Sequence, residues 1–249
     1  MTAFDAIRAE TIRLPGHQGD QIAAYLARPL GAGPYPGVVV IHHMPGFDDW
    51  SKEVTRTFAV NGYSAVCPHL HYREGPDASP EDASATVRAA GGVPDDRCVG
   101  DVAGAARFLR SLTNSNAKVG VIGYCSGGRQ AYLCACRLPF DAAVVCYGAK
   151  IVASPDQLSD RQPVAPIDLT SDLRCPLLGL FGAHDTNPSP PDVDRIDQEL
   201  EAAGKTYEFH SYQGAGHAFF AVQRAAQYRV EAANDGWQRI WAWFGQYLA

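Results

Sequence analysis

The 249-residue sequence has no apolar run approaching the roughly 20 residues that a transmembrane helix requires. It lacks an excess of basic charge too: 21 Lys and Arg stand against 27 Asp and Glu, a formal net charge of −6. With no basic run interleaved by aromatics, neither nucleic acid nor a membrane is expected as a partner. Met1 to Arg13 has no continuous apolar core, so no signal peptide is expected and the location is read as cytoplasmic. The seven cysteines are odd in number and none stand in C-x-x-C spacing, which argues against a disulfide framework and a redox pair. Most sit in apolar segments, where free thiols pack as small hydrophobes in a reducing compartment. Internal repeats and low-complexity linkers are missing, so a single domain over residues 1–249 is the simplest organisation. Nothing in the sequence specifies an oligomeric state.

What is present is an alternation of short apolar runs, bounded by Gly and Pro, with longer segments of helical period. That pattern predicts an α/β domain on a mainly parallel, twisted sheet flanked by helices. Residues 10–14 and 21–27 alternate apolar and polar positions and read as an antiparallel opening pair. Residues 36–41 are continuously apolar, as a strand buried on both faces must be. A helix over 51–61 capped by Ser51, a strand at 63–67 and a helix over 96–112 follow. Further strands are expected at 142–147, 177–181 and 205–212, and helices at 128–138, 191–203 and 224–248, the last as one helix or a pair. The segments 69–96 and 151–172 are polar and proline-bearing and read as excursions shaping the mouth of a pocket.

The chemistry concentrates in Gly123-Tyr124-Cys125-Ser126-Gly127-Gly128, directly after the apolar run 118–122. A strand turning sharply through glycines into a helix is a nucleophile elbow, which needs small residues two before and two after the nucleophile. Gly123 and Gly127 meet that need for Cys125; Ser126 would be flanked by Tyr124 and Gly128. A thiol with an ordinary pKa of about 8.5 is a few per cent thiolate at neutral pH, so Cys125 needs a base or a positive field. In this architecture the acid and the histidine follow the nucleophile in that order. Asp185 ends an apolar strand at the sheet edge where catalytic groups gather. His217 lies in the glycine loop Gly214-Ala215-Gly216-His217, later still. His184 and His210 are read as packing or supporting residues.

Backbone N–H groups of Ser126 and of Met44 are the expected oxyanion donors, because Pro45 has none to give. Tyr124, Tyr147, Phe47, Trp50 and Phe219 are candidates to line the substrate pocket, with Arg88. His42-His43 and His69-x-His71 follow strands expected to be neighbours, so four imidazoles could converge. The pattern lacks further ligands of a binuclear site, and hydrolysis by a cysteine triad needs no metal, so neither metal nor cofactor is expected.

Taken together, the cysteine elbow, the strand-end Asp185, the GAGH loop and VVVIHHMPG followed by GYSAVCP resemble the dienelactone hydrolase family from about Pro36 to the end of the chain. The resemblance implies an α/β-hydrolase fold without a large cap domain. It also implies a Cys-His-Asp triad that cleaves small-molecule esters or lactones through a thioester acyl-enzyme. Two positions depart from the family pattern. His43 stands where a glutamate meets the resting thiol, so His43 is expected either to partner the thiol or, as a loop histidine, to hydrogen-bond backbone. Ala221 stands where an arginine grips the substrate carboxylate; Arg88 or Arg73 are the residues that could replace it. Two alternatives use the same thiol: a redox-sensing or binding protein without turnover, and an acyltransferase.

Overall fold

The computed structural model describes residues 6–249; Met1 to Asp5, part of the segment assessed as a leader, lie outside the described residues. Eight strands form one sheet in the order β1-β2-β4-β3-β5-β6-β7-β8. They are β1 (Ile7–Pro15), β2 (Gln21–Pro29), β3 (Tyr35–Ile41), β4 (Ser64–Pro68), β5 (Ser115–Tyr124), β6 (Ala142–Cys146), β7 (Leu177–Gly182) and β8 (Tyr207–Tyr212). The first pair and the β2–β4 contact are antiparallel, and every other pairing is parallel. This is the α/β-hydrolase fold, and among the described residues no separate cap domain covers the sheet edge. No helix of the described residues is long and apolar enough to cross a membrane.

The central strands are apolar wherever both faces are covered, which in β5 begins at Val119 after the half-buried or exposed Ser115 to Lys118. Val39, Ile41, Val119, Val121 and Val145 face α3 (Asp95–Ser111) and α4 (Ser126–Arg137), whose Val102, Leu109 and Ala131 complete that core. Val38, Val40, Ile122 and Val144 point the other way, toward Val54 and Phe58 of α1 (Asp49–Val60) and Ile240 and Phe244 of α6 (Val230–Leu248). The strand period of two thus divides one apolar run between two cores.

Register places the site. Ile41 pairs with Gly123, Tyr124 with Cys146, and Cys146 with Leu180. The chain therefore leaves β3, β5, β6 and β7 at one edge. The loop 42–47, the elbow at Cys125, Tyr147 and the turn 183–185 are brought side by side, and the loop after β8 joins them.

Two expectations need correcting. Helix α1 is capped by Asp48, whose carboxylate accepts the Ser51 N–H at 2.9 Å, not by Ser51. The excursion 69–96 contains helix α2 (Pro80–Ala89), with Ser79 as N-cap and Pro80 in the first turn. That signal is local and was available in the sequence, but the surrounding Gly, Pro and acidic residues mask it.

Candidate active site

Cys125 sits between β5 and α4 with φ 56° and ψ −120°, a left-handed conformation that an L-residue holds only when its surroundings enforce it. The enforcement is visible in the glycines. A Cβ on Gly123 would lie 1.9 Å from the Gly127 carbonyl oxygen, and one on Gly127 2.4 Å from that of Ile41. The Cys125 N–H donates to the Cys146 carbonyl at 3.1 Å, and its own carbonyl accepts from Gly128 N–H at 2.9 Å. The turn is fixed on both sides, and the thiol is the partly exposed one among seven free cysteines.

His217 directs Nδ1 to Asp185 Oδ2 at 2.8 Å. The Asp185 side chain is 1% exposed, and its other oxygen accepts the Asn187 N–H at 2.9 Å. With Nδ1 committed, Nε2 is the nitrogen left for Cys125. Burial opposes both charges, yet each is favoured: the Cys125 thiol falls below its usual value through His217 and the N–H groups of Ser126 and Met44. Burial pulls His217 down, but Asp185 and Cys125 together push it up to about 10. The arrangement favours an imidazolium beside a thiolate.

Both expected oxyanion donors, Ser126 N–H and Met44 N–H, bear on the sulfur. Above it opens a cavity of about 360 Å³, bordered by Met44, Cys125, Ser126, Arg88, Arg129 and Lys150. No acidic side chain borders it. Arg129 is neutralised by Asp95, which accepts its guanidinium at 2.6 and 3.1 Å. Arg88 and Lys150 are exposed at the rim.

Of the residues expected to line the pocket, Arg88 does so. Tyr124, Tyr147, Phe47, Trp50 and Phe219 do not border this cavity. Tyr124 and Tyr147 are each 1% exposed, and they pack with Phe219, Phe220 and Trp50 in a layer beneath the site. Their positions at strand ends turn them toward the α1 and α6 face instead of the open edge. Tyr147 nonetheless meets the His217 ring edge-on at 5.1 Å between centroids. Phe47 stacks on His69 at 4.6 Å. Arg73 is held by Asp101 at 2.8 and 3.0 Å and by Asp20, away from the cavity. Lys150, Arg129 and the amides of Gln130 and Gln162, which do border it, carry no sequence signal: they come from three separate segments, Arg129 and Gln130 side by side on α4.

His43, expected to partner the thiol or to hydrogen-bond backbone, instead turns Nε2 to the side-chain carboxylate of Asp48 at 2.6 Å. That contact, with the N-cap of α1, holds Asp48 down to about 2 against the opposing effect of burial. His42, His69 and His71 do converge, with the His42 ring 4.7 Å from His71 and 6.4 Å from His69. Burial lowers all three, to about 4, 3 and 2 respectively, so the cluster is neutral. Among the described residues no group of three or more His, Cys, Asp or Glu is disposed to hold a metal.

Fold and site together define an α/β-hydrolase. The family model for the dienelactone hydrolase family matches residues 22–248. A "Putative carboxymethylenebutenolidase" of Escherichia coli K12 is 35% identical over 251 residues, covering 99% of this chain and 90% of that protein. A "Probable 2-oxo-3-(5-oxofuran-2-ylidene)propanoate lactonase" of a Bradyrhizobium species is 31% identical, covering 89% of this chain and 88% of that protein. The crystal structure of a "Putative Dienelactone Hydrolase" from Klebsiella pneumoniae superposes with a TM-score of 0.88 at 36% identity, covering 98% of this chain and all of that one. This chain belongs to the dienelactone hydrolase family.

Proposed function

We propose that the protein hydrolyses a lactone or carboxylic ester bearing an anionic group, with Cys125 as nucleophile, His217 as proton carrier and Asp185 as the residue that orients it. The observation that carries the reading is the 2.8 Å Asp185–His217 contact beside a thiol of lowered pKa at a strained elbow. The Cys125 thiolate attacks the carbonyl carbon, and the carbonyl electrons move to oxygen, where the N–H groups of Ser126 and Met44 receive them. His217 Nε2–H protonates the departing alkoxide as the C–O bond breaks. In a lactone that hydroxyl stays tethered to the acyl group. Water, losing a proton to His217, then attacks the thioester; the C–S bond breaks, the carboxylic acid leaves, and the Cys125 thiolate beside protonated His217 is restored.

Two facts support an anionic substrate: exposed Arg88 and Lys150 at a cavity free of acidic side chains, and the carboxylate-bearing lactones in the names of the relatives. A panel of neutral and carboxylate-bearing lactones, aryl esters and phosphoesters tests the proposal. Turnover is expected with lactones or esters, with preference for the anionic members, and its loss in Cys125→Ala. Undiminished turnover in that variant refutes it. The aspartate and the base give turnover a machinery that a thiol sensor does not need.

A further inference from the structure

The Met44 N–H belongs to a peptide unit whose other end is unusually well held. The His43 carbonyl oxygen accepts from two donors, Gly46 N–H at 2.9 Å and His42 Nδ1 at 2.8 Å. The tautomer follows from the opposite ring nitrogen. His42 Nε2 lies 3.2 Å from the Leu70 backbone N–H, which can only donate, so Nε2 carries a lone pair and Nδ1 carries the proton. His42 is 2% exposed, and both of its nitrogens are used within the protein. One imidazole therefore ties the loop after β3 to the loop after β4.

The peptide is trans and planar, so its C=O and N–H point in opposite directions. Holding the His43 oxygen from behind fixes the Met44 N–H toward the front, where it bears on the Cys125 sulfur. The support behind is itself packed. His71 meets the His42 ring edge-on at 4.7 Å, and a Cβ on Gly46 would lie 2.9 Å from His71 Nδ1. Pro45 has no N–H, so the loop has no neighbouring donor to substitute if the Met44 peptide rotates.

We infer that His42 is a positioning residue for the oxyanion hole: its Nδ1–H holds the His43–Met44 peptide plane so that the Met44 N–H faces the reacting carbonyl. The inference rests on the proposed attack by Cys125. It assigns a task in that reaction to a buried histidine that touches neither substrate nor sulfur. A neutral ring is required, and burial keeps it neutral at every pH well above about 4.

The test compares His42→Asn with His42→Leu and His42→Gln. An asparagine amide nitrogen reaches the place of Nδ1 and can still donate to His43; leucine cannot donate; glutamine places its amide near Nε2 instead. Asn and Leu both lose the acceptor for Leu70 N–H, so a purely structural role predicts equal damage. We expect His42→Leu and His42→Gln to lose kcat on an activated aryl ester by about 10²-fold, with KM within about threefold, and His42→Asn to recover most of kcat. The pH midpoint for iodoacetamide alkylation of Cys125 should rise in Leu and Gln and stay near wild type in Asn. Equal loss in Asn and Gln, or an unchanged kcat and alkylation midpoint in Gln, overturns the inference; should Leu fail to fold, Asn against Gln decides. Turnover surviving in Cys125→Ala would defeat the proposed function instead, and the alkylation midpoints would still judge the placement of the Met44 N–H.

Discussion

At the scale of single residues, His217 is the point on which the pH behaviour turns. Its pKa is pushed up to about 10, so it holds its proton at neutral pH and loses it as pH rises through that value. In the proposed mechanism the acid that protonates the leaving group then disappears. Cys125 is shifted the opposite way, so its thiolate is lost only as pH falls through a value below its ordinary one. Hydrolysis should give a bell-shaped kcat/KM profile whose two limbs belong to the coupled pair. Asp185→Asn removes the charge and hydrogen bond that raise His217, so the alkaline limb should move to lower pH. In that variant kcat should fall by about 10²- to 10⁴-fold, as when the acid of a serine triad is neutralised. A pH–rate profile of the variant with an unmoved alkaline limb would mean that Asp185 does not set the imidazole.

Residue identity also explains what the sequence could and could not show. The proposed grouping of Cys125, Asp185 and His217 is legible in parts: the glycines at 123 and 127 and at 214 and 216 mark the turns that carry Cys125 and His217, and Asp185 follows the apolar strand β7. The aromatics expected at the pocket lie beneath it because the sequence puts Tyr124 and Tyr147 at strand ends without showing which face they turn to. Composition likewise could not show that His43 would be taken by Asp48, since the pairing depends on how the loop 42–47 folds back on the first turn of α1.

At the scale of elements, the elbow is a contact between backbones, so its glycines should tolerate nothing larger. Gly127→Ala places a methyl 2.4 Å from the Ile41 carbonyl oxygen and should cost about 2–4 kcal/mol, read as a lowered urea midpoint, with activity lost beyond that. Asp48→Ala removes the α1 cap and the partner of His43, and thermal unfolding should show a loss of about 1 kcal/mol or somewhat more. The parallel strands were readable from apolar runs alone, because a strand covered on both faces has no polar face to disguise it. Helix α2 was not: four of its ten residues are buried or half-buried, and its periodicity is correspondingly weak.

At the scale of the whole molecule, the strand register gathers five separate loops at one edge, and the cavity there is bordered by cations and amides without a carboxylate. Arg88 and Lys150 lie far apart in sequence, so only the fold reveals them as neighbours of one opening. Arg88→Ala should raise KM for a carboxylate-bearing ester by about tenfold, the weight of one charge-assisted contact, and leave its neutral analogue nearly unchanged. Equal effects on both substrates would show that the arginine acts on shape and not on charge.

The most direct test of the account is the mass of the enzyme caught during turnover. Acid quenching with an activated aryl ester, followed by digestion and mass spectrometry, should find the acyl increment on the peptide carrying Cys125 and on no other, and none in Cys125→Ala. Steady hydrolysis with no such increment, or an increment on another side chain that persists in Cys125→Ala, would contradict it.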